Sequence, residues 1–181
     1  MTKNEYIEKP ILIEKKSHFD ARGYFKETYR KEWFLGIDNS EFNQDNLSFS
    51  VNKGTLRGMH LQKNPFAQSK IVQCLQGKIL DIVVDLRTDS KNYKNHFKYE
   101  LEGKDNSILY VPIGFAHGFL TLENNTMVSY KVNNYYNPGS EISISWKDPA
   151  LNLPWPMNEK DIILTKKDSE APYLNQLNID F

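Results

Sequence analysis

The chain has 181 residues, 39% of them hydrophobic and 13% aromatic, which suffices for one sizeable core and points to a single domain over residues 1–181. Its 23 Lys and Arg residues balance 23 Asp and Glu residues, so no overall field draws it to nucleic acid or an anionic membrane, and any anionic ligand must be gripped locally. The lone Cys74 cannot close an internal disulfide, no apolar run approaches the roughly 20 residues that cross a bilayer, and MTKNEYIEKP has no apolar leader core, so a cytoplasmic protein is expected.

Taken in chain order, the predicted elements are short apolar runs with strand chemistry, closed by Gly, Asn, Asp or Pro. ILIEKK and GYFKETY come first, followed by a short helical pattern near KEWFLGI. Then come the stretch around GMHLQ, KIVQCLQ, ILDIVVDLR, FKYELE, SILYVP, FLTLE, MVSYKVNNYY and EISISW. Turns are expected at Gly77-Lys78, Gly103-Lys104, Asn124-Asn125 and Asn137-Pro138-Gly139, and a second helical piece after KKDSEAPYL. Many short strands with few helices predict an all-β sandwich or barrel.

Strand alternation sorts the side chains by face. If Gly58 to Gln62 is extended, His60 and Gln62 share one face, and Met59 and Leu61 the other. By the same count Asp81, Val83 and Asp85 oppose Leu80, Ile82, Val84 and Leu86, while Val128, Tyr130 and Val132 stand together. A ligand-sized barrel would then line its mouth with His60, Gln62, Asp81 and Tyr130. Periodicity equally allows a solvent-facing polar stripe on an antiparallel sheet.

PIGFAHG, residues 112–118, has the Pro-x-Gly-x-x-His form of the second motif of cupins, small jelly-roll barrels whose lumen often holds a metal through histidines. The first cupin motif reads His-x-His with a Glu soon after, and the corresponding stretch here reads His60-Leu61-Gln62, then KNPFAQSK without Glu. Two usual ligands are missing and an ammonium, Lys70, stands where a cation site would not want one. The resemblance therefore implies a cupin-like double-stranded β-helix (jelly-roll) barrel with a few short helices and no metal. His117 also reads as a hydrogen-bonded structural histidine, and Lys70 as a solvated one.

No glycine-rich phosphate loop is present, so a phosphate-bearing ligand would be held by side chains. Arg22 and Arg57 each precede a glycine, in DARGYF and TLRGMH, and the guanidinium fork suits a diphosphate. Glycine at these places either lets backbone approach a ligand or permits a turn.

Taken in order, FDARGYFKETY, QDNLSFS, GTLRGMHLQ, QSKIVQCLQGKILDIVVDLR, VPIGFAHGF, SYKVNNYYNP, ISWKDPALNLPWP and LTKKDSEAP resemble the dTDP-4-dehydrorhamnose 3,5-epimerase family from near residue 19 to near residue 172. These are metal-free, cofactor-free cupins, normally homodimers that exchange N-terminal strands, acting on nucleotide-linked 4-keto-6-deoxy sugars. The resemblance implies His60 as catalytic base, Asp168 as its carboxylate partner, Lys70 near the enolate and Tyr130 as the opposing acid. It further implies Arg22, Glu27, Gln44, Asn46 and Arg57 as nucleotide or diphosphate contacts, with Asp81, His117, Tyr136 and Glu141 around the sugar.

The implied chemistry accounts for these residue types. Inverting a carbon beside a ketone removes its hydrogen, forms an enolate and returns a proton to the other face, so a base and an acid must flank the ring. Imidazole, with an ordinary pKa near 6.5, is a competent base once a carboxylate fixes its tautomer. An ammonium stabilises the enolate oxygen, and a phenol keeps a proton to deliver at neutral pH. Without the family, Tyr130 reads as strand packing, Asp168 as part of a solvated charged tail, and Trp146 and Trp155 as core. The expected activity is a 3,5-epimerase serving synthesis of a surface-glycan sugar. A carbon-3-only epimerase, a metal-dependent cupin enzyme and a noncatalytic sugar-binding cupin are the alternatives.

Overall fold

The computed structural model describes residues 7–179 and 181, so the first six residues of the leader reading lie outside the described residues. Two five-stranded antiparallel sheets form the body. The first takes the order β1 (Ile11–Glu14), β9 (Ser107–Val111), β6 (Lys70–Gln76), β11 (Thr126–Val132) and β4 (Gln44–Ser50). The second runs β12 (Glu141–Ser143), β5 (Leu56–Gln62), β10 (Phe115–Thr121), β7 (Lys78–Asp85) and β8 (His96–Glu102). A separate hairpin of β2 (His18–Asp20) and β3 (Gly23–Phe25) completes the strands of the described residues. The architecture is all-β, as the strand spacing predicts, and takes the cupin-like jelly-roll form that the resemblance implies.

Burial explains why several strands read as nearly continuous apolar runs. Val72, Cys74, Val83, Leu109, Phe115, Phe119 and Val128 fill the space between the sheets. The outer face of the second sheet carries Met59, Leu61, Leu80, Ile82 and Val84, and the C-terminal segment covers it with Leu151, Trp155 and Leu174. The loop region before β4 covers the first sheet in the same way, through Phe34, Trp33 and Phe42 packed on Ile71, Ile108 and Tyr110. Covered on both faces, strands such as β7 lose simple alternation, and seven of its eight residues are buried.

All four expected turns fall between strands, with Gly77 and Asn125 at positive φ of 75° and 54°. Several predicted strands are shorter than their runs: GYFKETY pairs only over residues 23–25, and EISISW only over 141–143. QDNLSFS forms β4, which the strand prediction omitted because Gln, Asp, Asn and Ser disfavour strands; its pairing with β11 overrides that preference. The helical pattern near KEWFLGI is a 3-10 turn at Lys31–Phe34, and the C-terminal one is a 3-10 turn at Leu174–Gln176.

Gly58 corrects one sequence reading. Its φ of 129° permits strand β5 to press on β10, where a Cβ would stand 2.5 Å from the Gly118 Cα. The glycine after Arg57 thus serves strand approach rather than ligand approach. Gly23, after Arg22, opens strand β3 at a φ of 128°, directly after the two-residue turn Ala21-Arg22.

Candidate active site

One lumen opens between the sheets, built from two adjoining hollows. The first, about 310 Å³, is lined by Gln44, Asn46, Gln62, Tyr136 and Glu141 together with His60, Lys70 and Tyr130. The second, about 300 Å³, shares His60, Lys70 and Tyr130 and adds Arg57, His117, Thr165, Lys167 and Asp168. His60 rises from β5 in one sheet, and Lys70 and Tyr130 from β6 and β11 in the other, so they meet across the lumen rather than along a strand. The cavity wall, and not a solvent stripe, is the outcome of the alternation.

His60 is held by a residue 108 positions away. Its Nε2 lies 2.6 Å from Asp168 Oδ1, and the carboxylate's Oδ2 accepts from the Thr165 hydroxyl at 3.0 Å. Asp168 belongs to the short helix α1 (Lys166–Ser169), which Thr165 caps by accepting from the Asp168 N–H. This capping turns the carboxylate inward, so Asp168 is 3% exposed in a segment whose Lys166 and Glu170 face water. Burial works against the charge of Asp168, but hydrogen bonding and charge from His60, the Thr165 hydroxyl and Lys167 outweigh it and hold the carboxyl below its ordinary range. Because a carboxylate only accepts, Nε2 carries the imidazole proton and Nδ1 is left basic.

Lys70 is buried, not solvated. Burial lowers its ammonium to a pKa of about 8, and the carboxylates of Asp81 and Glu141 limit the fall. Its Nζ reaches the His60 carbonyl at 3.5 Å. Tyr130 sits partly in the inter-sheet core and partly in the lumen. Burial raises its hydroxyl pKa, Arg57 opposes the rise and Glu141 adds to it, so the phenol stays protonated at neutral pH.

Asp81 departs from the expected mouth position. It is fully buried behind His117, whose Nε2 lies 2.8 Å from its Oδ2, while its Oδ1 has no hydrogen-bond partner. His117 is therefore both a hydrogen-bonded buried histidine and part of the lumen wall. Tyr136 donates its hydroxyl to Glu141 at 2.8 Å, and Glu141 also pairs with Lys167 at 2.6 Å. Burial disfavours that carboxylate's charge, yet Lys167 and Tyr136 hold its pKa below the ordinary value. Lys167 is a lumen cation that sequence reasoning missed; its position beside Asp168 in LTKKD was the available signal.

Arg57 sends Nη2 to the Phe49 carbonyl at 3.2 Å and Nε toward Ser50 at 3.4 Å, and lines the lumen. Gln44 and Asn46 are joined at 2.8 Å on β4. Arg22 and Glu27 are not brought to this lumen. Arg22 stands on the β2–β3 hairpin, its side chain 90% exposed and paired with Asp20, and Glu27 pairs with Arg30. Among the described residues, no group of three or more His, Cys, Asp or Glu side chains is arranged to hold a metal ion, and no helix is long and apolar enough to cross a membrane.

Comparison with known proteins places the chain among relatives along nearly all of its length. The family model described as dTDP-4-dehydrorhamnose 3,5-epimerase matches residues 4–176. A dTDP-4-dehydrorhamnose 3,5-epimerase of Sinorhizobium fredii is 40% identical over 171 residues, 94% of this chain and 87% of that one. The crystal structure of the enzyme of that name from Bacillus anthracis, with TDP and pyrophosphate bound, is 44% identical with a TM-score of 0.86, covering 91% of this chain and 94% of that one. A Legionella pneumophila dTDP-6-deoxy-D-glucose-3,5-epimerase in complex with dTDP-4-keto-L-rhamnose is 37% identical with a TM-score of 0.88, covering 93% and 89%.

Proposed function

The chain belongs to the dTDP-4-dehydrorhamnose 3,5-epimerase family, and from that premise we propose that it inverts carbon 3 and carbon 5 of a nucleotide-linked 4-keto-6-deoxy sugar. The observation that carries this reading is the placement of the His60–Asp168 pair and Tyr130 on opposite sheets around one lumen. A sugar ring lying between them has a base on one face and a phenol on the other, as inversion through an enolate requires. His60 Nδ1 takes the proton beside the ketone, and Asp168 steadies the imidazolium. The Lys70 ammonium, in a water-poor setting, meets the enolate oxygen. Tyr130 returns a proton to the opposite face. No cofactor enters this scheme. Arg57 and Lys167 receive the diphosphate, Gln44 and Asn46 the nucleoside, and His117, Tyr136 and Glu141 surround the sugar, with Asp81 acting through His117.

The working unit in this proposal is a homodimer of single-domain chains in the cytoplasm, supplying a sugar for a surface glycan. Two features support the dimer. The hairpin around Arg22 exposes Phe19, Tyr24 and Phe25, and the edge strand β4 exposes Leu47 and Phe49 on its outer face. Such apolar side chains are suited to burial against a second copy, which would also give Arg22 and Glu27 a lumen to reach. The deciding experiment runs the enzyme in deuterium oxide with a thymidine-diphosphate-linked 4-keto-6-deoxy hexose. Product labelled and inverted at carbons 3 and 5 is expected. Label at carbon 3 alone after prolonged incubation makes it a 3-epimerase, and no label at any carbon overturns the reading.

A further inference from the structure

Gln62 lies on the same strand face as His60, yet its amide is committed to backbone. Nε2 donates to the carbonyls of Phe66 at 2.6 Å and Tyr135 at 3.2 Å, and Oε1 accepts from the Asn137 N–H at 2.7 Å. These partners belong to two loops at the lumen's rim, residues 63–69 and 133–140. The loops are further joined by Gln68 to the Asn134 carbonyl at 2.7 Å, Asn134 to the Pro65 carbonyl at 3.3 Å, and the Lys63 N–H to the Ser140 carbonyl at 2.9 Å.

Two carbonyls and one N–H converging on a side chain 4% exposed define the chemistry it must have. A primary amide offers two donors and one acceptor in that arrangement. A carboxylate would face two carbonyl oxygens, and an imidazole cannot serve both carbonyls from one nitrogen. The loops so joined set Gln68 and Tyr136 on the lumen wall, and Tyr136 is fixed again by its N–H on Gln44 Oε1 at 2.9 Å.

We propose that Gln62 is a positioning residue that locks the two rim loops together and, through Gln68 and Tyr136, sets which sugar the lumen admits. This deepens the epimerase reading and rests on it for the identity of the ligand. Gln62→Met keeps the length and removes all three hydrogen bonds; Gln62→Glu keeps only the acceptor. In both, amides of residues 63–69 and 133–140 should exchange hydrogen faster while those of β7 and β10 keep their protection. The KM for the thymidine-diphosphate-linked 4-keto hexose should rise roughly tenfold, with kcat within about threefold, the pattern of lost positioning rather than lost chemistry. In a Gln68→Ala/Tyr136→Ala background the same change should raise KM less than about twofold, because both residues through which Gln62 acts are gone.

If Gln62→Met does not fold, Asn134→Ala at a half-buried position, which removes one link between the loops, should move loop exchange and KM in the same direction. Rim loops that stay protected, a KM that does not move, or a loss confined to kcat would each overturn the proposal. Wild-type protein that labels no 4-keto sugar overturns the epimerase reading instead, and the loop-exchange arm still decides whether Gln62 is the lock.

Discussion

His60 and His117 are register partners across the β5–β10 ladder, yet each turns its Nε2 to a different carboxylate, Asp168 at 2.6 Å and Asp81 at 2.8 Å. They differ in access: the His60 side chain is 26% exposed, that of His117 only 8%. The pairing with Asp81 therefore stabilises a buried wall, while the pairing with Asp168 prepares an imidazole that a ligand can reach.

Replacing His60 with Asn should leave a folded protein that binds thymidine diphosphate but has lost proton exchange at every carbon, a fall of roughly 10²–10⁴-fold in rate. Deuterium incorporation, followed by mass spectrometry, reads this out. Near wild-type exchange in the folded variant would remove His60 as the base.

Asp168→Asn should slow exchange by on the order of 10²-fold while sparing ligand affinity, because an amide can hold the wrong tautomer. A stability effect accompanies it. A carboxyl whose folded pKa lies below its unfolded value adds stability above the unfolded pKa, lost as pH falls through the folded one. The wild type's melting-temperature advantage over Asp168→Asn should accordingly shrink as pH drops below about 4. An advantage independent of pH would contradict the ionised pairing.

Lys70 carries the opposite sign. Its pKa is lowered from 10.5 to about 8, so folding meets a cost below pH 8 that is relieved as pH rises from about 8 toward 10.5. Lys70→Met should thus stabilise the fold at pH 7, by at most on the order of 3 kcal/mol, while abolishing turnover. In the wild type, kcat/KM should fall as pH passes about 8, where the ammonium is lost. A thermal melt series and a pH–rate profile test the two halves; an unstabilised Lys70→Met at pH 7 would refute the burial cost.

Arg57→Ala should weaken thymidine diphosphate binding about tenfold or more, with Lys an incomplete substitute because the fork geometry is lost. In the proposed dimer, but not in the single chain, Arg22→Ala should weaken it, since Arg22 lies outside its own chain's lumen. Calorimetry above and below the dimer dissociation range distinguishes the cases. Equal affinity for wild type and Arg22→Ala in the dimer would remove the cross-chain role.

Tyr130→Phe should still exchange the hydrogen at carbon 3 but be impaired in inversion at carbon 5, as expected of a phenol facing the base across the lumen. Positional deuterium analysis by NMR provides the check. Unimpaired inversion at both carbons would transfer the acid role elsewhere.

Much of the fold was legible because strand chemistry is local. A period of two placed Met59 and Leu61 against His60 and Gln62, and the Gly and Asn turns marked the strand ends. Edge strand β4 was not legible, since its polar composition is overridden by pairing with β11. The exposed state of Arg22 and the burial of Asp81 behind His117 were equally hidden, because both depend on how elements pack rather than on spacing.

The amino-acid order by itself determined the all-β class, the shared face of His60 and Gln62 opposite Met59 and Leu61 and, through its spaced blocks, the family. It also named most of the lumen: His60, Lys70, Tyr130, Gln44, Asn46, Arg57, His117, Tyr136 and Glu141 all line it. The resemblance already paired His60 with Asp168 and opposed Tyr130 to it, but only the tertiary structure supplied the 2.6 Å contact across 108 residues, the placement of Tyr130 on the other sheet and the pKa of Lys70 lowered by burial. Those relationships arise from long-range packing and desolvation, which no local periodicity encodes.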